Sequence, residues 1–231
     1  MGTELTVAIR HAHVGGFTLD VSFTAPAGFT VLFGPSGAGK STTLGAIAGL
    51  VRPDAGTITL GGDALFDHAR GVDVPVERRG VAYVFQGLAL FPHLTALGNV
   101  EYGIDRAVPR AERKARARAM LERMKVVHLA DRKPATFSGG EAQRVALARA
   151  FARAPRVVLL DEPFSAMDRE LARGLCADAR RVVEELGVPG VLVTHHRNEA
   201  RLLGDRAVLI EAGKVVGAGS LDELIPPRED R

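Results

Sequence analysis

Residues 30–50 read TVLFGPSGAGKSTTLGAIAGL. A short apolar run, Thr30 to Phe33, enters a turn of small residues, and the turn leads directly into a stretch of helical composition. Gly34, Gly39, Lys40 and Ser41 meet the spacing Gly-x-x-x-x-Gly-Lys-Ser/Thr at that junction. A strand-to-helix turn without side-chain bulk lets successive backbone N–H groups point at phosphate oxygens. The helix N-terminus adds partial positive charge, Lys40 reaches the β- and γ-phosphates, and the Ser41 hydroxyl is placed for Mg²⁺. A glycine-rich turn that only joins strand to helix has no need of Lys-Ser at its end.

Outward from this stretch, apolar runs of strand length alternate with segments of 3.6-residue character, the pattern of an α/β fold with crossover helices. Strands are predicted at 6–10, 18–24, 30–33, 57–60, 81–85, 157–161, 190–194, 206–211 and 214–218. The first two and the last two have turn residues between them, as at Gly15-Gly16 and Ala212-Gly213, and are expected to form antiparallel hairpins. Helices are predicted at 40–49, 111–127, 139–153, 169–186 and 197–203. The strand signal vanishes from Leu88 to Lys133, which implies a helical insertion between two parts of one sheet.

A phosphate loop needs a carboxylate on a neighbouring strand for the metal. Val157 to Leu160 deliver Asp161 at the end of a buried run, and Glu162 follows. Adjacent strand residues point to opposite faces, so the two acids can divide the work, one on the Mg²⁺ shell and the other as general base for attacking water. In FSGGEAQRVALARAFAR, Ser138 reads as a helix N-cap followed by Gly139 and Gly140, a second anion site without a lysine of its own. It could hold a γ-phosphate presented by another chain.

Composition removes other classes. With 46% hydrophobic and 25% charged residues over 231, disorder and fibrous repeats are excluded. A single cysteine, Cys176, permits no internal disulfide and reads as a small apolar core residue. No stretch offers the apolar length of a membrane span, and residues 1–19 lack a secretory pattern, so a cytoplasmic location is expected. The net charge of +3 is small, and the basic run Arg110 to Arg118 has Ala interleaved as on a solvated helix face, so no nucleic-acid partner is expected.

GPSGAGKST, the Gln86 of YVFQ, FSGGEAQ, LLDEP, the SAMD of Ser165 to Asp168 and the VTHH containing His195 occur in one order along the chain. In that order and approximate spacing they resemble the ATP-binding cassette (ABC) ATPases of the transporter superfamily. The resemblance implies a P-loop NTPase fold with a RecA-like core, an N-terminal antiparallel β-subdomain and an inserted helical subdomain at about 88–153. Residues 1–231 would then form a single ABC ATPase domain with no C-terminal regulatory domain. It implies that the backbone of Gly34, Pro35, Ser36, Gly37, Ala38, Gly39, Lys40, Ser41 and Thr42 cradles ATP. Ser41 and Gln86 would ligate Mg²⁺, Asp161 would hold it through water, and Glu162 would be the base. His195 would touch the γ-phosphate and orient water, and Asp168 would couple two active sites. The family works as a head-to-tail homodimer, in which Ser138, Gly139, Gly140 and Glu141 of one copy complete the ATP site of the other.

The sequence departs from the family in three places. Glu141 stands where glutamine is usual and is expected to point away from bound phosphate. His196 follows His195 and is expected at the surface. The aromatic that stacks on adenine is replaced by RHAHVGGF, which leaves His13 or Phe17. Leu88, Leu90, Phe91 and Leu94 give an apolar edge that would either meet membrane permease subunits or be buried in the helical subdomain. The runs PVERRGVAYVFQ and LFPHLT resemble importers of oxyanions, with molybdate-type import closest, served indirectly by a solute-binding protein. The expected location is peripheral, on the inner face of the cell membrane. Sulfate, iron or polyamine import and an ATP-driven clamp on nucleic acid are the alternatives; one P-loop and the short segment between Gln86 and Ser138 oppose the clamp.

Overall fold

The computed structural model describes residues 3–13, 15–85, 87–165 and 167–226. Among the described residues, eleven strands form one sheet in the order β6-β5-β4-β1-β2-β11-β10-β3-β9-β8-β7. These strands are β1 (Leu5–Ala12), β2 (Thr18–Ala25), β3 (Gly28–Phe33), β4 (Ala55–Leu60), β5 (Asp63–Asp67), β6 (Val72–Asp73), β7 (Val81–Val84), β8 (Val157–Asp161), β9 (Pro189–Val193), β10 (Arg206–Glu211) and β11 (Lys214–Ser220). From β10 through β3, β9 and β8 to β7 every pairing is parallel. At the other end β2, β1, β4, β5 and β6 pair antiparallel, and β10 and β11 form the expected second hairpin.

The parallel strands are covered on both faces, which is why their sequences are unbroken apolar runs. In β8, Val157 and Leu159 join a core with Leu32, Leu44, Ile47 and the β1–β2 residues. Val158 and Leu160 join the opposite core, with Phe29, Leu147, Phe151, Leu175 and Val183. Helix α1 (Lys40–Ala48) packs in the first core. The second takes α2 (Ala96–Tyr102), α3 (Arg110–Arg123), α4 (Gly139–Phe151), α5 (Arg169–Leu186), α6 (Arg197–Leu203) and the short α7 (Leu221–Leu224). No helix among the described residues is long and apolar enough to cross a membrane.

The helical insertion is present: between β7 and β8 the described residues form helices and turns only. Its helix at 111–127 ends early, at Arg123, because Lys125 takes a left-handed φ of 60°. The helix at 139–153 likewise stops at Phe151, ahead of Ala154 at φ 50°. Strands β5 and β6 were not expected. DALFD alternates too weakly to signal a strand, and its pairing to β4 extends a sheet edge that already exists.

Candidate functional site

The phosphate loop is pinned at both ends. A Cβ on Gly34 would lie 2.0 Å from the carbonyl oxygen of Ile210 in β10, so only glycine lets these backbones meet. Gly39 caps α1 at a left-handed φ of 99°, with no side chain bonded to the cap and no acid in the first turn. The helix N-terminus therefore keeps its partial positive charge. Lys40, 5% exposed, curls back and donates from Nζ to the Gly34 and Pro35 carbonyls, each at 2.8 Å. Burial holds its pKa below the usual lysine value, against the raising pull of Glu162 and Asp161.

Asp161 ends β8 beside this loop. Ser41 Oγ donates to its Oδ1 at 3.0 Å and Tyr83 Oη to its Oδ2 at 3.0 Å. Burial, and then the Asp161 charge, push the Tyr83 phenol well above its ordinary pKa, so it stays a donor. Tyr83 was not anticipated. It lies 78 residues from Asp161, and only the β7–β8 pairing brings the two together.

Glu162 corrects one expectation. It is not the next residue of the pleat but lies past the strand end, at a left-handed φ of 45°. Its N–H donates to the Val193 carbonyl at 2.9 Å, and its carbonyl accepts from Ser165 Oγ at 3.1 Å. A residue with a side chain holds this conformation at a cost of roughly 1 kcal/mol or more. The turn brings both carboxylates to the same cleft instead of dividing them between faces. Glu162 Oε1 then meets His195 Nδ1 at 3.0 Å.

The cleft has a volume of about 520 Å³ and is lined by Asp161, Glu162, Ser36, Gly37, Gly39, Lys40, Ser41, Thr42, His13 and Phe17. Both candidates for the adenine contact thus border it. His13 Nε2 lies 3.3 Å from Thr42 Oγ1, and its ring leans on Phe17 with centroids 5.8 Å apart. His196 is exposed as expected, its ring 4.0 Å from that of His195. Gln86 lies outside the described residues.

Ser138, Gly139, Gly140, Glu141 and Asp168 are not among the residues lining this cleft. Ser138 and Gly139 are exposed at the start of α4. Gly140 is buried, and a Cβ there would lie 2.5 Å from Leu171 Cδ2 of α5. Glu141 closes a capping box: its Oε2 accepts from the Ser138 N–H at 2.7 Å, and its own N–H donates to Ser138 Oγ at 3.3 Å. The backbone bond from Ser138 holds the Glu141 carboxyl below its ordinary pKa. The carboxylate folds back onto its own helix start and occupies the Ser138 N–H. Asp168 is exposed and caps α5, accepting from Leu171 N–H at 2.9 Å.

Leu88, Leu90, Phe91 and Leu94 are half-buried, a middle outcome. Leu90 packs on the core, and Arg149 of α4 donates to the Leu88 and Ala89 carbonyls at 2.8 and 2.7 Å and stacks over Phe91. The more exposed apolar side chains here are Phe85 and Tyr102, which the sequence pattern did not single out.

Residues 19–165 match the ABC transporter family. The chain is 46% identical over 211 residues to the molybdate/tungstate import ATP-binding protein WtpC of Archaeoglobus fulgidus, covering 91% of this chain and 85% of that protein. It is 41% identical over 211 residues to the molybdenum import ATP-binding protein ModC of Paramagnetospirillum magneticum, covering 91% of this chain and 58% of the relative's length. The dimeric post-hydrolysis structure of the ATP-binding cassette MJ0796 bound to ADP and Pi superposes with a TM-score of 0.79 at 29% identity, covering 94% of this chain and 98% of that one. With the phosphate loop, the paired carboxylates and the capped Ser-Gly-Gly helix set on one sheet as described, the chain belongs to the ABC transporter family.

Proposed function

We propose that the chain is the ATP-hydrolysing subunit of an ABC importer whose cargo is molybdate, tungstate or a closely similar oxyanion. It works as a homodimer docked to membrane permease subunits on the inner face of the cell membrane, with a solute-binding protein delivering cargo on the far side. The observation that carries the reading is the run of contacts from Ser41 through Asp161 to Glu162 and His195 beside a helix N-terminus that no side chain caps. The names of the relatives support the cargo class.

The loop from Gly34 to Thr42 binds the triphosphate with backbone N–H groups, and Lys40 moves from its two carbonyls onto the β/γ-phosphates. Ser41 and Asp161 offer hard oxygens 3.0 Å apart, a donor set that fits Mg²⁺, with Gln86 as a further ligand. The metal, when bound, neutralises charge on the phosphates. Tyr83 holds the free oxygen of Asp161, so that the carboxylate stays turned to Ser41. Glu162 accepts the proton of the attacking water, and His195, bonded through Nδ1 to Glu162 Oε1, holds that carboxylate and is the group assigned to the transferred phosphate.

Ser138, Gly139, Gly140 and Glu141 of a second copy complete the site, and Asp168 of that copy lies beside them. Support comes from their absence from the lining of their own cleft and from the dimeric form of the MJ0796 cassette. The half-buried edge at Leu88 to Leu94, with Phe85 and Tyr102, is the face offered to the permease. The test is Glu162→Gln: ATP binding persists and a stable dimer accumulates, while turnover falls about 10²–10⁴-fold. Ordinary turnover in that variant removes Glu162 from the role of base. For cargo, ATP-dependent uptake of molybdate by vesicles carrying this subunit and its permease must exceed that of sulfate.

A further inference from the structure

The turn between β9 and α6 carries His195 and hangs from one buried point. Thr194, directly after β9, is fully buried; its hydroxyl donates to Glu199 Oε2 at 2.6 Å and accepts from the His196 N–H at 3.0 Å. Glu199 stands in the first turn of α6 and is 6% exposed. An acid in that turn would favour the helix dipole equally well from the surface, whereas a buried carboxyl costs stability unless it is bonded. Burial pushes the Glu199 carboxyl above its ordinary pKa, only partly offset by the Thr194 hydrogen bond and by His196 and His195. Helix α5 packs against α6 and carries the buried Cys176, whose thiol is pushed up first by burial and then by the Glu199 charge. Thr194, Glu199 and Cys176 do not line the cleft, and the proposed chemistry uses none of the three.

We propose that Thr194 and Glu199 are positioning residues for His195: the buried hydrogen bond fixes the turn so that His195 Nδ1 stands 3.0 Å from Glu162 Oε1. The proposal depends on the hydrolytic role given above to His195. His195 is exposed and, among the described residues, its side chain meets only Glu162 and the ring of His196, itself carried by the same turn, so its aim depends on the backbone that holds it. The His196 N–H, locked to Thr194, sets that backbone one residue away.

The test is steady-state ATP hydrolysis by the full chain carrying Glu199→Ala, Glu199→Gln, Thr194→Val or Thr194→Ser, each alone and on a His195→Ala background. Glu199→Ala and Thr194→Val are expected to lower kcat about tenfold with KM for ATP unchanged, the size of one lost buried hydrogen bond. Glu199→Gln and Thr194→Ser keep an acceptor and a hydroxyl and are expected to recover most of the rate. On the His195→Ala background the same changes are expected to cost nothing further. Equal losses on both backgrounds, a KM that rises in step with the fall in kcat, or unchanged kcat overturns the proposal. If Glu199→Ala does not fold by circular dichroism, Thr194→Val, which keeps the side-chain volume, decides alone. A harmless His195→Ala removes both the hydrolytic role and the proposal, whereas a damaging His195→Ala with harmless Glu199→Ala and Thr194→Val removes the proposal only.

Discussion

Arg79 is the largest fully buried side chain and sits beneath the phosphate-binding helix. Its Nη1 donates to the carbonyls of Ala46 and Ile47 at the end of α1, at 2.8 and 3.0 Å; Nε donates to Val74 O at 2.7 Å and Nη2 to Asp73 Oδ1 at 2.8 Å. A cation there also suits the negative end of the α1 dipole. Gly49 lies flat against the guanidinium, since a Cβ would come within 2.7 Å of Nε. Arg79→Met removes the charge and takes the charged donor from the carbonyls of Ile47 and Val74, whereas Ala46 O keeps the Gly49 N–H and exposed Asp73 keeps Arg52; at about 1.5–3 kcal/mol for each hydrogen bond to a charged group, a loss of about 3–5 kcal/mol is expected. For a chain of this size each kcal/mol shifts Tm by about 2–4 °C, so a drop of roughly 6–20 °C is expected. The assay is thermal unfolding followed by circular dichroism, with urea unfolding to check that the m-value is unchanged. Arg78→Met is the control: Arg78 is exposed next door, and its loss is expected to stay within about 0.5 kcal/mol. Equal Tm losses in the two variants would refute the reasoning, because the effect would then not come from the buried fork.

Other outcomes follow from the same geometry. Ser138→Arg placed in the same copy as Lys40→Ala, in a mixed dimer with a wild-type copy, is expected to abolish hydrolysis, because the one intact phosphate loop then faces the altered helix start; hydrolysis equal to that of the mixed dimer carrying Lys40→Ala alone refutes the shared site. Asp178, buried on α5, is held below its ordinary pKa despite burial, because Arg144 and Lys125 bond to it. Its folded pKa is depressed, so its stabilisation is complete above the unfolded value of about 3.9 and is lost as pH falls through the lower folded value. Asp178→Asn is therefore expected to lower the urea midpoint at pH 7 and to narrow its gap to wild type below pH 4; a constant gap refutes this. The Cys176 thiol, fully buried and pushed up to about 12, is expected to resist a thiol reagent at pH 8 until the chain unfolds, so fast labelling of native protein contradicts its place in the core.

What the sequence determined by itself is local. The loop from Gly34 to Ser41 is legible because its glycines and its Lys-Ser are needed by one short turn, and β8 is legible because strands covered on both faces must be apolar throughout. The ordered motifs were enough to name the family and the residues worth testing. Tertiary structure alone decided the rest. That Arg79 is buried and Arg78 exposed cannot be read from two adjacent arginines; it depends on where α1 ends. The bond from Tyr83 to Asp161, the turn that swings Glu162 to His195, and the buried Thr194–Glu199 pair all join residues whose proximity is set by strand pairing or by a backbone turn. Their side chains carry no periodic signal, because a hydrogen bond across a fold leaves no spacing rule in the chain that makes it.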